Sequence, residues 1–140
     1  VKKMLVKDYM TKDVVLLTAS DSVARARKLM EERGVRSIPV VDRDKKLVGI
    51  VTQRDIYAAG LSRLSDNYER GTRALESHLP ISEVYCTEVT SIAPDTTLLK
   101  AALLLKELKV GALPVLDNDE VVGILSSTDM LAVLTLLLTQ

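Results

Sequence analysis

The chain states its plan twice, and a duplicated plan restricts it to folds with two equivalent halves. Val35-Arg36-Ser37-Ile38-Pro39-Val40-Val41-Asp42 is matched by Val110-Gly111-Ala112-Leu113-Pro114-Val115-Leu116-Asp117. Leu47-Val48-Gly49-Ile50-Val51 is matched by Val121-Val122-Gly123-Ile124-Leu125. Upstream, Tyr9-Met10-Thr11 is paired with Tyr85-Cys86-Thr87. The matches keep their order, with small gaps in the turns. The pattern predicts a first copy over 1–60, a connecting segment over 61–80 with one short helix, and a second copy over 81–140.

Within the first copy, Val14 to Leu17 is a short apolar run and reads as a strand. Thr18 to Ser22 offers several helix N-caps. Val23, Ala26, Leu29 and Met30 then recur at helical spacing, and Gly34 suits the residue that ends the helix. Ser37–Val41 and Leu47–Thr52 read as strands around the charged hairpin turn Asp42–Lys46, and a last helix is expected from Gln53 to Ala59, stopped near Gly60. The second copy repeats this order: a strand over Thr90–Ala93, a cap expected at Asp95, a helix over Leu98–Leu108, strands over Ala112–Leu116 and Val121–Ser126, and a helix over Ser127–Leu138. The prediction for each copy is β-α-β-β-α.

One stretch carries chemistry in both copies. Gly49-Ile50-Val51-Thr52-Gln53-Arg54-Asp55 and Gly123-Ile124-Leu125-Ser126-Ser127-Thr128-Asp129 share a glycine, two aliphatics, a hydroxyl and an aspartate three residues later. Each sits where a strand gives way to a helix. Hydroxyl and carboxylate are one helical turn apart, so both face one spot, beside free backbone N–H groups. Taken singly, each pair is explained as a cap and a first-turn carboxylate. The duplication, joined to a proline-bearing strand each time, favours a ligand. A carboxylate only accepts hydrogen bonds, which suits a vicinal diol with two donors. Proline inside a strand removes a ladder donor, and the expectation is an edge whose backbone groups address a ligand.

Composition excludes several classes. Lys plus Arg equals Asp plus Glu at 19 each, and there is no Trp or Phe, which argues against nucleic-acid surfaces and base-stacking platforms. The single cysteine, Cys86, excludes an internal disulfide and a cysteine zinc site; paired with Met10, it is expected to be a buried small hydrophobe. His78, the one histidine, has no acidic or cysteine pattern near it, so a metal or catalytic role is not expected. There are no paired catalytic carboxylates, no phosphate-binding loop and no nucleophile–base pair, so the chain is not expected to be an enzyme. No apolar run reaches the length of a membrane span and no signal peptide is evident, so a cytoplasmic protein is expected. The helices Leu98–Leu108 and Met130–Leu138 are apolar nearly all round, and the exposed face this implies predicts a homodimer.

The β-α-β-β-α copy, the proline strand and the Gly-x-x-(Ser/Thr)-x-x-Asp signature together resemble the CBS domain, over nearly the whole chain. Two in tandem resemble a CBS pair. The resemblance implies an α+β fold of two repeats packed sheet to sheet with pseudo-two-fold symmetry, and clefts that take adenosine-containing ligands: AMP, ADP, ATP or S-adenosylmethionine. It implies that Asp55 with Thr52, and Asp129 with Ser126, meet the ribose. Arg36, Ser37, Ile38 and Pro39 in one copy, and Gly111, Ala112, Leu113 and Pro114 in the other, correspond to the wall that meets adenine. Thr11, Val15 and Leu16, and Thr87 and Thr90, correspond to the rim. Ile38, Leu113 and Val15 are the aliphatic side chains expected to hold the base, with Arg36 or Arg54 on phosphate. The first copy has Arg36 and Arg54 where the second has Gly111 and Thr128. The resemblance implies clefts lined by both copies, so this charge does not map simply to one site, yet unequal affinities are expected, with one cleft preferred by phosphorylated ligands. The expected function is a stand-alone regulatory module read by a separate protein target. The rivals are a dimerisation scaffold with idle clefts and, more weakly, nucleic-acid binding.

Overall fold

In the computed structural model, residues 3–61 and 78–140 are described. The short helix expected in the connecting segment falls on 62–77, outside the described residues. Along the chain come α1 (Val23–Arg33), β1 (Ser37–Val41), β2 (Leu47–Thr52), α2 (Gln53–Leu61), α3 (Leu98–Leu108), β3 (Ala112–Asp117), β4 (Glu120–Ser126) and α4 (Ser127–Leu138).

The two eleven-residue helices start and stop by the same devices. Ser22 Oγ accepts the Arg25 N–H at 3.1 Å ahead of α1, and Thr97 Oγ1 accepts the Lys100 N–H at 3.2 Å ahead of α3. Asp95, the expected cap, lies two residues too early; its carboxylate instead pairs with Lys7 at 3.3 Å. Both helices end on a left-handed residue, Gly34 at φ 64° and Lys109 at φ 55°. α2 runs on to Leu61 through Gly60, where a stop was expected; one glycine weakens a helix without breaking it.

β1 and β2 form an antiparallel hairpin that pairs Ser37 with Thr52 at its open end, and β3 and β4 repeat it with Ala112 on Ser126. The Asp42 carboxylate closes the first turn by accepting the Asp44 and Lys46 N–H groups at 2.8 and 3.0 Å. The second turn places Asn118 and Asp119 at φ 52° and 68°, the twist a two-residue hairpin loop requires.

The first strand expected in each copy shrinks to one parallel bridge, Leu17 on Val40 and Ile92 on Val115. Proline is the reason. Leu17 N–H donates to the Pro39 carbonyl at 3.1 Å and Val41 N–H to the Leu17 carbonyl at 2.8 Å. The next rung of a parallel ladder needs a donor at residue 39, and proline has none. Pro114 stops the ladder beyond Ile92 in the same way, its carbonyl taking the Ile92 N–H at 3.0 Å. The prolines therefore limit strand pairing and their carbonyls stay inside the fold, rather than addressing a ligand as expected.

Packing does not follow the order of the copies. One compact unit is Val15–Val89; the other joins Val1–Val14 to Thr90–Gln140. In the second, Val6 N–H reaches the Thr96 carbonyl at 2.8 Å, and Thr11 exchanges hydrogen bonds with Ile124 at 2.9 and 3.0 Å. In the first, Ile81 N–H reaches the Asp21 carbonyl at 2.8 Å, and Cys86 exchanges hydrogen bonds with Ile50, both at 2.9 Å. Each unit thus completes its hairpin with a third, single-residue pairing drawn from the segment that opens the other copy.

The cores are equivalent too. Leu17, Val23, Ala26, Ile38, Val51, Ile56 and Ile81 are buried together in the 15–89 unit. Val6, Ile92, Leu98, Ala101, Leu113, Leu125 and Val133 are buried together in the other. α3 buries one stripe, Leu98, Ala101 and Leu105, and leaves Leu99 and Leu103 exposed. α4 buries Val133, while Leu131, Leu134, Leu136, Leu137 and Leu138 stand exposed.

Candidate functional site

At the open end of each hairpin the strand turns directly into a helix, and the signature residues lie on that junction. Thr52 N–H donates to Asp55 Oδ2 at 2.8 Å, and Asp55 N–H donates to Thr52 Oγ1 at 3.1 Å. Ser126 N–H donates to Asp129 Oδ2 at 2.9 Å, and Asp129 N–H donates to Ser126 Oγ at 3.1 Å. Each pair is a capping box that satisfies two orphan helix donors. All four residues are half-buried. The box fixes each carboxylate in one pose while using only its Oδ2, which leaves an oriented acceptor at the surface.

The wall beside each corner is held by one backbone contact. The Arg36 carbonyl accepts the Gln53 N–H at 2.9 Å, and the Gly111 carbonyl accepts the Ser127 N–H at 2.9 Å. Arg36 and Arg54 are exposed and in no ion pair among the described residues; Gly111 and Thr128, also exposed, take their places at the other corner. Ser37 is half-buried at the Thr52 end of β1.

Several expected residues are placed differently. Ile38 and Leu113, expected to hold the base, are 0% and 1% exposed in the two cores and have no free side-chain face. Pro39, Ala112 and Pro114 are buried as well. Val15 and Leu16 stay half-buried, and the parallel bridge at Leu17 runs them toward the Ser37 end of β1. Val15 and Thr90 each sit at the rung the prolines forbid, so neither carbonyl has a backbone donor among the described residues. Thr87 and Thr90 are exposed.

Thr11 reaches the site directly. Its hydroxyl donates to Asp129, 3.2 Å from Oδ1 and 3.4 Å from Oδ2. Its partner in the other unit is Cys86, which faces Ile50 as Thr11 faces Ile124. Cys86 is therefore equivalent to Thr11, not to Met10, and it is exposed rather than buried, with its thiol 3.5 Å from the Glu88 carbonyl. The signal was present in the sequence: Thr11 and Cys86 both precede the first residue of a helix, Val23 and Leu98, by twelve positions. Matching the two Tyr residues pulls the pairing one place out of step.

The same segments explain the glycines of the signature. The Tyr85 ring occupies the space beside Gly49, where an added Cβ would also come within 2.6 Å of the Cys86 carbonyl oxygen. At Gly123 a Cβ would meet Met10 and come within 3.0 Å of the Thr11 carbonyl oxygen. These glycines admit a crossing backbone.

An open depression of about 830 Å³ lies elsewhere, lined by Thr90, Ser91, Thr96, Lys100, Asn118 and Asp119 among others. It takes in Thr90, one of the expected rim residues, and reaches the turn of the β3–β4 hairpin at Asn118 and Asp119. Among the described residues, no group of three or more His, Cys, Asp or Glu is placed to hold a metal, and no helix is long and apolar enough to cross a membrane.

Known proteins resemble this chain in sequence and fold. The CBS domain model matches residues 6–62 and 81–136. The CBS domain-containing protein YhcV of Bacillus subtilis is 31% identical over 89% of this chain and 81% of its own length. An inosine-5'-monophosphate dehydrogenase from Korarchaeum cryptofilum is 30% identical over 89% of this chain, which spans 23% of that enzyme. Among solved structures, AcuB from Vibrio cholerae superposes with a TM-score of 0.82 at 35% identity, covering 99% of this chain and 95% of that one. The CBS domain pair of MJ0100, in complex with 5'-methylthioadenosine and S-adenosyl-L-methionine, gives 0.80 at 25% identity over 96% and 98% of the two chains. CBSX2 in complex with AMP gives 0.78 at 27% identity over 98% and 99%.

Proposed function

The chain belongs to the CBS domain family and carries the domain twice, and on that premise we propose that it is a regulatory module whose two signature corners bind adenosine-containing small molecules. The ligands are AMP, ADP or ATP, with S-adenosylmethionine a further member of the class. The observation that carries this reading is the pair of aspartates. Each is held by a capping box that occupies Oδ2, so an acceptor-only group is pre-oriented toward whatever approaches. A ribose offers two adjacent hydroxyl donors, the complement of a fixed carboxylate. The unpaired carbonyls of Val15 and Thr90 are further acceptors, suited to the amino group of adenine. MJ0100, bound to 5'-methylthioadenosine and S-adenosyl-L-methionine, and CBSX2, bound to AMP, supply the precedent.

Binding is regulatory rather than catalytic in this proposal. The ligand acts by favouring one arrangement of the chain over another, and a protein target in the cytoplasm reads the difference. Calorimetric titration with AMP, ADP, ATP and S-adenosylmethionine is the test. Saturable binding of at least one, lost in an Asp55→Ala, Asp129→Ala double variant, is the expected result. No heat and no thermal shift at millimolar ligand sinks the proposal, and turnover of bound ATP sinks its non-catalytic part.

A second reading rests on a different observation. The exposed leucines of α4 form an apolar face of the kind that marks an interface. A homodimer through that face is compatible with ligand binding and also stands without it.

A further inference from the structure

The depression that Lys100 and Asp119 line has a matching surface in the other unit, and the two are built differently. Aligning the caps Ser22 and Thr97 and the bridges at Leu17 and Ile92 pairs Val15 with Thr90, Leu16 with Ser91, Asp21 with Thr96 and Arg25 with Lys100. In the 15–89 unit the cation is already held. Arg25 Nε lies 3.7 Å from Asp21 Oδ1, while Asp21 Oδ2 accepts the Thr18 N–H at 2.8 Å. In the other unit Thr96 replaces that aspartate, and its hydroxyl oxygen accepts the Ala93 N–H at 3.0 Å. Lys100 is left exposed and in no ion pair among the described residues. The half-buried aliphatics Val15 and Leu16 give way to exposed hydroxyls at Thr90 and Ser91.

A carboxylate stands in the same depression. Asp119, exposed and left-handed at φ 68°, lines it together with Lys100, and the two do not pair with each other within 4 Å. Leu104 and Leu116, both half-buried, supply apolar lining. A volume of about 830 Å³, with apolar lining and a few convergent polar groups, is that of a small-molecule site. Of the residues expected to meet adenosine, the depression includes Thr90 alone.

We infer that this depression binds a free α-amino acid with an apolar side chain, its carboxylate on Lys100, its ammonium on Asp119 and its side chain against Leu104 and Leu116. A simple anion is attracted by Lys100 and repelled by Asp119, and a simple cation meets the reverse. A zwitterion gains from both. Its carboxylate complements the three donors of an ammonium, and its ammonium complements an acceptor-only carboxylate. The hydroxyls of Thr90 and Ser91 both donate and accept, so they suit either charged group. The site is distinct from the two signature corners and does not depend on what those corners bind.

L-leucine is the probe, with two analogues: 4-methylpentanoate, which lacks the ammonium, and 3-methylbutylamine, which lacks the carboxylate. Each is titrated calorimetrically into the unmodified protein, Lys100→Gln and Asp119→Asn. Glutamine keeps the helix propensity of α3, and asparagine accepts the left-handed conformation at position 119, so both variants should fold. Saturable millimolar binding of leucine is expected, weaker by about three- to fivefold in each variant, the scale of an exposed ion pair. Each analogue should bind the unmodified protein more weakly than leucine by at least a similar factor. Absence of leucine binding overturns the inference, as does undiminished binding in either variant. Analogues that bind as tightly as leucine also overturn it, since the apolar lining alone would then account for binding. Leucine is titrated without nucleotide, so a failure of the adenosine reading leaves this result untouched. A repeat at saturating AMP should give the same leucine affinity, and displacement of leucine by AMP overturns the assignment of a distinct site.

Discussion

Ser126 and Asp129 hold each other: Ser126 Oγ accepts the Asp129 N–H at 3.1 Å, and Asp129 Oδ2 accepts the Ser126 N–H at 2.9 Å. Thr52 and Asp55 do the same at 3.1 and 2.8 Å. The caps and the proposed ligand site thus share the same four residues. The two roles compete only for oxygen atoms, and the cap takes one carboxylate oxygen of each pair.

Variants can separate the roles. Ser126→Ala removes the acceptor for the Asp129 N–H and should cost about 1 kcal/mol of stability in urea denaturation. Asp129→Asn keeps a side-chain oxygen for the cap and removes the charge. It should cost less stability than Ser126→Ala, while weakening a ribose-bearing ligand at that corner by about tenfold, the scale of a charge-assisted hydrogen bond. Equal ligand affinity in Asp129→Asn and the unmodified protein would remove Asp129 from the site.

Gly49→Ala should destabilise the protein by about 1–3 kcal/mol, because the new methyl is driven into Tyr85 and the Cys86 carbonyl. Gly111→Ala is the control: an added Cβ meets nothing within 4 Å, and its effect should stay within about 0.5 kcal/mol. Thermal denaturation followed by circular dichroism compares the two.

Gly34 and Lys109 close equivalent helices in the same left-handed conformation, at φ 64° and 55°. Glycine adopts it freely and lysine does not. Gly34→Ala should therefore lower stability by about 1 kcal/mol, and Lys109→Gly should raise it by a similar or smaller amount. Shifts of the same sign in the two variants would contradict this account of the helix ends.

If α4 pairs with its copy, charges placed on its exposed face should separate the two chains. Leu131→Glu and Leu134→Glu alter residues 62% and 49% exposed, so the fold should persist. Sedimentation velocity should then report a dimer for the unmodified protein and a monomer for the double variant. A monomer in both removes the interface reading.

Much of this molecule was legible because it is local. The bounds of α3 and α4 follow from apolar spacing, and Gly34 ends α1 where its freedom predicted. Ser22 was among the residues read as caps. Asp95 is not the cap because two neighbouring residues, Thr96 and Thr97, suit a cap equally, and only the position of the first helical turn selects Thr97. The short first strands were overread because a proline in one strand limits the ladder of another, and nothing in Val14–Leu17 itself records that.

The sequence by itself determined that there are two equivalent halves, where their helices lie, and that a hydroxyl and a carboxylate recur at each strand-to-helix junction. Those facts are written in spacings of a few residues. Tertiary structure decided which segment completes which hairpin. Thr11 meets Ile124 and Asp129 across more than a hundred residues of chain, and Cys86 meets Ile50. Such pairings are fixed by how Met10 and Tyr85 seat on Gly123 and Gly49, a long-range fit that no local periodicity encodes. It also put Ile38 and Leu113 in the cores. On a strand that passes from core to corner, the side of the sheet a residue faces depends on what packs there.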